Sequence, residues 1–173
     1  HGGKAAAIQV EVANSADVKA AFDEAIRLYG KIDIVVNAAA VSVFGPFAAL
    51  DESAYERAFA VNAKGAFNVL NQAASRVNDN GRVIQFSTGG TKMSMAGTGL
   101  YAASKAAGEQ MALGLAKELG TKGITVNVVS PGVTDTDGLV MPQEQINVLI
   151  AQTPLGRLGQ PEDIADAIAF LAS

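Results

Sequence analysis

The chain contains no cysteine, which excludes a disulfide framework, a thiolate nucleophile and any metal site built on thiolates. It has no run of five or six basic residues, and 13 Lys and Arg against 17 Asp and Glu leave a net charge of −4 at pH 7. A nucleic-acid groove or a polybasic membrane patch is therefore not expected. Long apolar runs are missing as well. The longest, Ile34 to Leu50, is interrupted by Asn37, Ser42, Gly45 and Pro46, too short and too broken to span a bilayer. Asp135 and Asp137 have no third ligand near them in the sequence and read as a solvated turn, so no metal is expected. What the chain does have is apolar material. Hydrophobic residues make up 49% of its 173 residues and charged ones 17%, which excludes a disordered chain and suffices for a single domain, residues 1–173, with a real core.

Apolar runs alternate with helical stretches, which points to an α/β fold with a mostly parallel sheet. Ala5 to Val12 reads as a strand. Asn14-Ser15-Ala16-Asp17 supplies a cap with an acid in the first turn of a helix from about Ala16 to Tyr29, expected to bury Val18, Phe22, Ile26 and Tyr29 and to end at Gly30. Ile32 to Ala38 is a near-continuous apolar strand, as expected where both faces of a parallel sheet are covered. Asp51-Glu52-Ser53 opens a long helix to about Val77. A turn cluster, Asn78 to Gly81, precedes a strand from Arg82 to Ser87. A Gly/Ser/Thr loop, Thr88 to Gly99, leads into a helix from Leu100 to Leu119, and Ile124 to Ser130 is another buried strand, stopped by Pro131-Gly132. A short helix near Glu144 to Gln152 and a last one opened by Pro161-Glu162-Asp163 complete the pattern.

Open α/β sheets bind ligands beyond the carboxyl ends of their strands. The polar residues there are Asn37, then Ser87 and Thr88, then Pro131 to Thr136. Tyr101 and Lys105 open the helix after the Thr88–Gly99 loop and, four residues apart, share one face. A phenol exchanges protons poorly near neutrality unless its anion is stabilised, and a nearby ammonium provides that stabilisation. Tyr-x-x-x-Lys alone is a weak signal, equally consistent with an amphipathic pair. The helix carrying it is apolar nearly all round, with Ala102, Ala103, Ala106, Ala107, Gly108, Ala112, Gly114 and Ala116. One face is expected to cover the sheet and the other to meet a second subunit.

Six segments in order resemble the short-chain dehydrogenase/reductase family. Val36 to Ala40 is similar to its Asn-Asn-Ala-Gly turn, Phe59 to Gly65 to its Asn-containing helix, and Gly81 to Thr88 to its serine strand. Tyr101 to Ala107 closely matches its Tyr-Lys helix. Asn127 to Gly132 and Gly156 to Ala165 resemble later segments. The resemblance implies a Rossmann-like, doubly wound parallel sheet with helices on both faces, and hydride transfer between NAD or NADP and a secondary alcohol or ketone. Tyr101 would be the general acid/base. Lys105 would lower the Tyr101 pKa and hold the nicotinamide ribose. Asn62 would bend its helix and anchor a water leading to Lys105. Glu11 and Val12 would meet the adenine, with Asn37, Ala38 and Ala39 beside the adenosine. Pro131, Gly132, Val133, Thr134 and Thr136 would hold the carboxamide.

Two departures from the family pattern matter. The serine position is Thr88 by spacing, with Ser87 in reserve; adjacent strand residues point oppositely, so only one can face a substrate. Ala40 replaces a glycine, which demands an ordinary backbone conformation there. Val41, Val43, Met93, Met95, Leu139, Val140 and Met141 flank these positions and suggest an apolar pocket. The family's Gly-rich phosphate loop does not occur, and the resemblance implies two strands before Lys4, on the order of 50 residues, and a further strand after Ser173. The sheet is thus expected to be incomplete at both ends and the polypeptide longer. The expected protein is a cytoplasmic homo-oligomer, dimer or tetramer, acting on a small-molecule alcohol or ketone. A 3-oxoacyl thioester reductase is a narrower alternative. A non-catalytic relative that binds a nucleotide or a partner subunit is a rival from another class.

Overall fold

A computed structural model describes residues 3–173; His1, to which the sequence assigns no role, lies outside them. Among the described residues three parallel strands form the sheet, in the order β1 (Ile32–Asn37), β2 (Val77–Phe86), β3 (Thr125–Val129). Asn37 stands opposite Gln85, and Gln85 opposite Val128, so the three strand ends finish level. Helices α1 (Ser15–Tyr29), α3 (Gly65–Arg76) and α4 (Gly99–Leu119) cover one face, and α6 (Pro161–Ala172) packs against β2 from the other. The remaining helices are α2 (Glu52–Ala58) and α5 (Gln143–Gln152).

Local chemistry accounts for the element ends. Asn14 Oδ1 accepts from Ala16 N at 3.0 Å to open α1, and Gly30 closes it in the left-handed region at φ 82°, its N–H bonded to Ile26 O. That conformation suits glycine and few other residues. Asp51 caps α2 by accepting from Ala54 N at 2.8 Å. The core lies between the sheet and α1, α3 and α4, and is built from Val18, Val35, Leu70, Val83, Leu115, Ile124 and Val126.

Four expectations need correction. Ala5 to Val12 is not a strand and pairs with none of the described strands. A strand exists only through a partner, and here only Val10 and Val12 pack on the core while residues 3–9 stay exposed. Val12 is held by α3: its carbonyl accepts from Asn68 Nδ2 at 2.8 Å, and a Cβ on Gly65 would stand 2.7 Å from Val12 Cγ2. β1 is covered on one face only, with Val35 and Asn37 buried but Ile34 48% and Val36 44% exposed, because α6 packs mainly on β2. On α1, Val18 is buried but Ile26 and Tyr29 are exposed; Tyr29 and Phe22 line a groove of about 440 Å³ along the outer edge of β1. The long helix from Asp51 is interrupted by π-helical turns at Phe59–Lys64, and it ends at Arg76, since β2 starts at Val77, with an irregularity before Arg82 where Asn80 adopts φ 63°.

Candidate active site

The level strand ends open onto a cleft of about 430 Å³. Ala38, Ser87, Thr88, Tyr101, Lys105, Pro131, Gly132, Thr134 and Thr136 line it, residues from four separate stretches of sequence. Ala40 joins Ala38 on the floor. Asn80 is the one non-glycine residue with positive φ among the described residues, so Ala40 keeps the ordinary backbone that alanine requires.

The chain leaves β2 at Phe86, and alternation sends the next two side chains opposite ways. Ser87 N extends the ladder to Val129 O at 2.7 Å, while Ser87 Oγ turns inward and donates to Glu109 Oε2 at 3.0 Å. Thr88 Oγ1 accepts from Gly90 N at 3.2 Å, which leaves its own proton free to be donated into the cleft. Gly89 N donates to Pro131 O at 2.8 Å, tying this loop to the one after β3.

Tyr101 stands in the first turn of α4, its ring met edge-on by Phe44 with centroids 5.1 Å apart. Lys105 follows one turn later, its side chain buried with only the ammonium end reaching the cleft, and it has no ion-pair or hydrogen-bond partner among the described residues. Burial pushes the Tyr101 phenol up and the Lys105 ammonium down to about 8. Each group is thus biased toward its neutral form. The rise at Tyr101 comes from the loss of water around the phenol.

Asn62 lies behind these residues and does not reach the cleft. The π-helical turns widen the helix at this point, a feature that recurs at functional sites. Asn62 Nδ2 donates to Val41 O and to Ser104 Oγ, both at 2.9 Å, and Oδ1 accepts from Val41 N at 2.8 Å. Ser104 Oγ in turn donates to Tyr101 O at 2.7 Å. Asn62 therefore links the loop after β1 to the first turn of α4, and both of its amide protons are used. A Cβ on Gly108 would come within 3.0 Å of Ala66 Cβ, so the glycine lets α4 approach α3 closely enough for that link.

Other expected residues fall outside the cleft. Asn37 is buried, with Nδ2 donating to Gln85 Oε1 at 2.9 Å and Oδ1 accepting from Ala39 N; it braces the strand ends from below. Glu11 folds back onto its own turn, accepting from Ala13 N at 3.0 Å, and neither Glu11 nor Val12 borders the cleft. The carbonyl of Val133 is taken by Gly159 N at 3.0 Å. That contact, with the Thr134–Gly159 bridge, brings the start of α6 to the cleft, so that Pro161, Ile164 and Ala165 form a wall absent from the expected set. The Gly156–Ala165 segment was visible as a motif, but its approach to Thr134 is a long-range contact. Of the expected apolar flank, Val140 is 90% exposed and Met93 and Met95 are exposed too; none borders the cleft. Phe44 is the aromatic neighbour of Tyr101 instead.

Comparison with known proteins bears on the family and the fold. The pattern of the family described as enoyl-(acyl carrier protein) reductase matches residues 1–173. An uncharacterized oxidoreductase of Methylorubrum extorquens is 36% identical over 176 residues, which cover 99% of this chain and 71% of the relative. A short-chain dehydrogenase/reductase from Serratia marcescens superposes with a TM-score of 0.93 at 35% identity, over 99% of this chain and 71% of that one. A blue fluorescent protein from a metagenomic library, solved in complex with NADPH, has a TM-score of 0.90 at 38% identity, over 96% and 68% of the two chains. The chain is a member of the short-chain dehydrogenase/reductase family. It is an NAD(P)-dependent oxidoreductase with the α/β Rossmann-type fold of that family, acting on small molecules. Among the described residues no helix is long and apolar enough to cross a membrane.

Proposed function

We propose that the cleft interconverts a secondary alcohol and its ketone, with Tyr101 as general acid/base. The observation that carries this reading is the convergence of Tyr101, Thr88 and the unpaired Lys105 on one cleft at the carboxyl ends of the strands. The cleft suits a nicotinamide cofactor. Ala38, Ala40 and Gly132 present little side chain, so a flat ring can lie against backbone, and among the described residues the Lys105 ammonium has no partner to compete with a ribose hydroxyl. When bound, the cofactor supplies or accepts the hydride.

The protein's own groups manage the proton and the developing negative charge on oxygen. In reduction, the carbonyl oxygen accepts hydrogen bonds from Tyr101 Oη and Thr88 Oγ1, and the Tyr101 proton passes to it as the alcohol forms. Preorganised donors aimed at such an oxygen are among the larger contributions to rate. Burial keeps Tyr101 protonated at neutral pH, which suits the acid role. Lys105 holds the ribose and places a positive charge one turn from the phenolate left behind. Asn62 positions this turn through Ser104. Phe44 limits the approach to the phenol from one side.

Residues 1–173 form part of a single nicotinamide-cofactor-binding domain in a cytoplasmic homo-oligomer, dimer or tetramer. Exposed Phe67 on α3 and Leu113 on α4 support the assembly. The test is steady-state oxidation of NADH and NADPH by the chain against a panel of ketones and 3-oxoacyl thioesters. Turnover of at least one ketone is expected. Cofactor binding without turnover of any carbonyl would favour a binding protein instead.

A further inference from the structure

Glu109 is a buried carboxylate that the proposed chemistry does not use. It lies on α4 one turn beyond Lys105 and two beyond Tyr101, on the face these residues share. Its Oε2 accepts from Ser87 Oγ at 3.0 Å and lies 3.0 Å from Thr91 Oγ1, which is also 3.0 Å from Thr88 O. Its Oε1 pairs with Lys92 Nζ at 2.5 Å. A charged acceptor with several donors is the stronger kind of hydrogen-bonding group, and an unsatisfied one would be costly at this depth.

These contacts bracket Thr88. Ser87 is fastened on one side, and Thr91 and Lys92 on the other, all to the helix that carries Tyr101. The short 3₁₀ turn between them, Gly89–Thr91, is closed by Gly90 N to Thr88 Oγ1, Thr91 N to Thr88 O and Lys92 N to Gly89 O. Within the bracket Thr88 is the residue whose hydroxyl faces the cleft. We propose that Glu109 is a positioning residue: its carboxylate takes up the Ser87 hydroxyl proton and anchors the 87–92 turn to α4, so that the Thr88 hydroxyl is held in register with Tyr101. This inference rests on Thr88 being the carbonyl-binding hydroxyl, and it predicts that Glu109 acts through Thr88 and not through cofactor binding. Lys92 is mostly exposed, so its share of the anchoring is small.

The test is a double-mutant cycle joined to amide hydrogen exchange. Glu109→Met is expected to lower kcat by about 10- to 100-fold, the range that a small misplacement of a reacting group produces, with the NAD(P)H dissociation constant unchanged. Exchange should quicken at Gly90, Thr91 and Lys92 and stay slow in β2 and β3. In a Thr88→Ala background the same substitution should lower kcat by less than about threefold, because the residue it positions is already gone. Glu109→Gln, which keeps an acceptor for Ser87 and Thr91, should restore most of the rate; it also serves if the Met variant does not fold. Additive losses in the cycle, unchanged exchange in the turn, or quickened exchange spread over the whole chain would overturn the proposal. If the wild type reduced no carbonyl at all, the functional reading would fail while the exchange data still judged the anchoring.

Discussion

Lys105→Met should make the folded chain more stable at neutral pH while removing its turnover. Lys105 keeps its four-carbon stem buried and points an ammonium without a counter-charge into the cleft, so the methionine retains the packing and discards the charge. Holding its proton at about 8 instead of 10.5 corresponds to about 3 kcal/mol against the charged form. Water in the open cleft solvates the ammonium and reduces this to ~1–2 kcal/mol. The sign follows from proton linkage. Below about pH 8 the lysine is charged in both folded and unfolded chains, and the full penalty applies. Between about 8 and 10.5 the folded chain has released the proton and the unfolded chain has not, so wild-type stability rises with pH; above 10.5 the penalty is gone. Urea unfolding of both proteins at neutral pH and near pH 10 reads the difference directly. The variant should be the more stable at neutral pH, by ~1–2 kcal/mol, with the gap clearly narrower near pH 10. Because Tyr101 titrates in both proteins, its contribution largely cancels in the comparison. A variant that is less stable than wild type at neutral pH, or a gap that does not change with pH, would refute the reasoning.

Replacing Thr88 with Val should lower kcat by about 100-fold, the loss expected for one oxyanion donor, whereas Ser87→Ala should change kcat by only a few-fold; steady-state kinetics of the two variants compares them. Reduction should decline as pH rises through about 8, because Lys105 loses its charge there, and a pH–rate profile of kcat measures it. Gly108→Val should push α4 from α3 at the Ala66 contact, destabilising the fold by about 1–3 kcal/mol in denaturant titration. Asn62→Ala should break the bridge from Val41 to Ser104 and leave buried groups unpaired, a loss of about 1–3 kcal/mol seen as a lower unfolding midpoint.

Legibility from sequence tracked the range of the interactions involved. The ends of α1 were readable because Asn14 and Gly30 act on neighbours within four residues. Tyr101 and Lys105 were readable because one helix carries both, and their family pattern is local. The π-helical turns around Asn62 were not, since a single widened turn leaves the apolar spacing almost intact. Ala5 to Val12 shows why a strand is harder to read than a helix: its composition suits a sheet, yet it has no neighbour to bond with among the described strands. Ser87 and Thr88 could be told apart by direction only after Glu109, more than twenty residues away, was seen to take the Ser87 proton. Phe44, Pro161 and Ile164 likewise reach the cleft by folding and leave no mark in local pattern.

The proposed reaction depends most on the Tyr101 hydroxyl as the group that delivers the proton. Its sharpest test is Tyr101→Phe, assayed side by side for NAD(P)H binding and for NAD(P)H oxidation with a ketone that the wild type reduces. Phenylalanine keeps the ring against Phe44 and removes only the oxygen. Cofactor affinity within a few-fold of wild type, with turnover lowered by about 1,000-fold or more, is the predicted result. A variant that still turned over at a large fraction of the wild-type rate would contradict it.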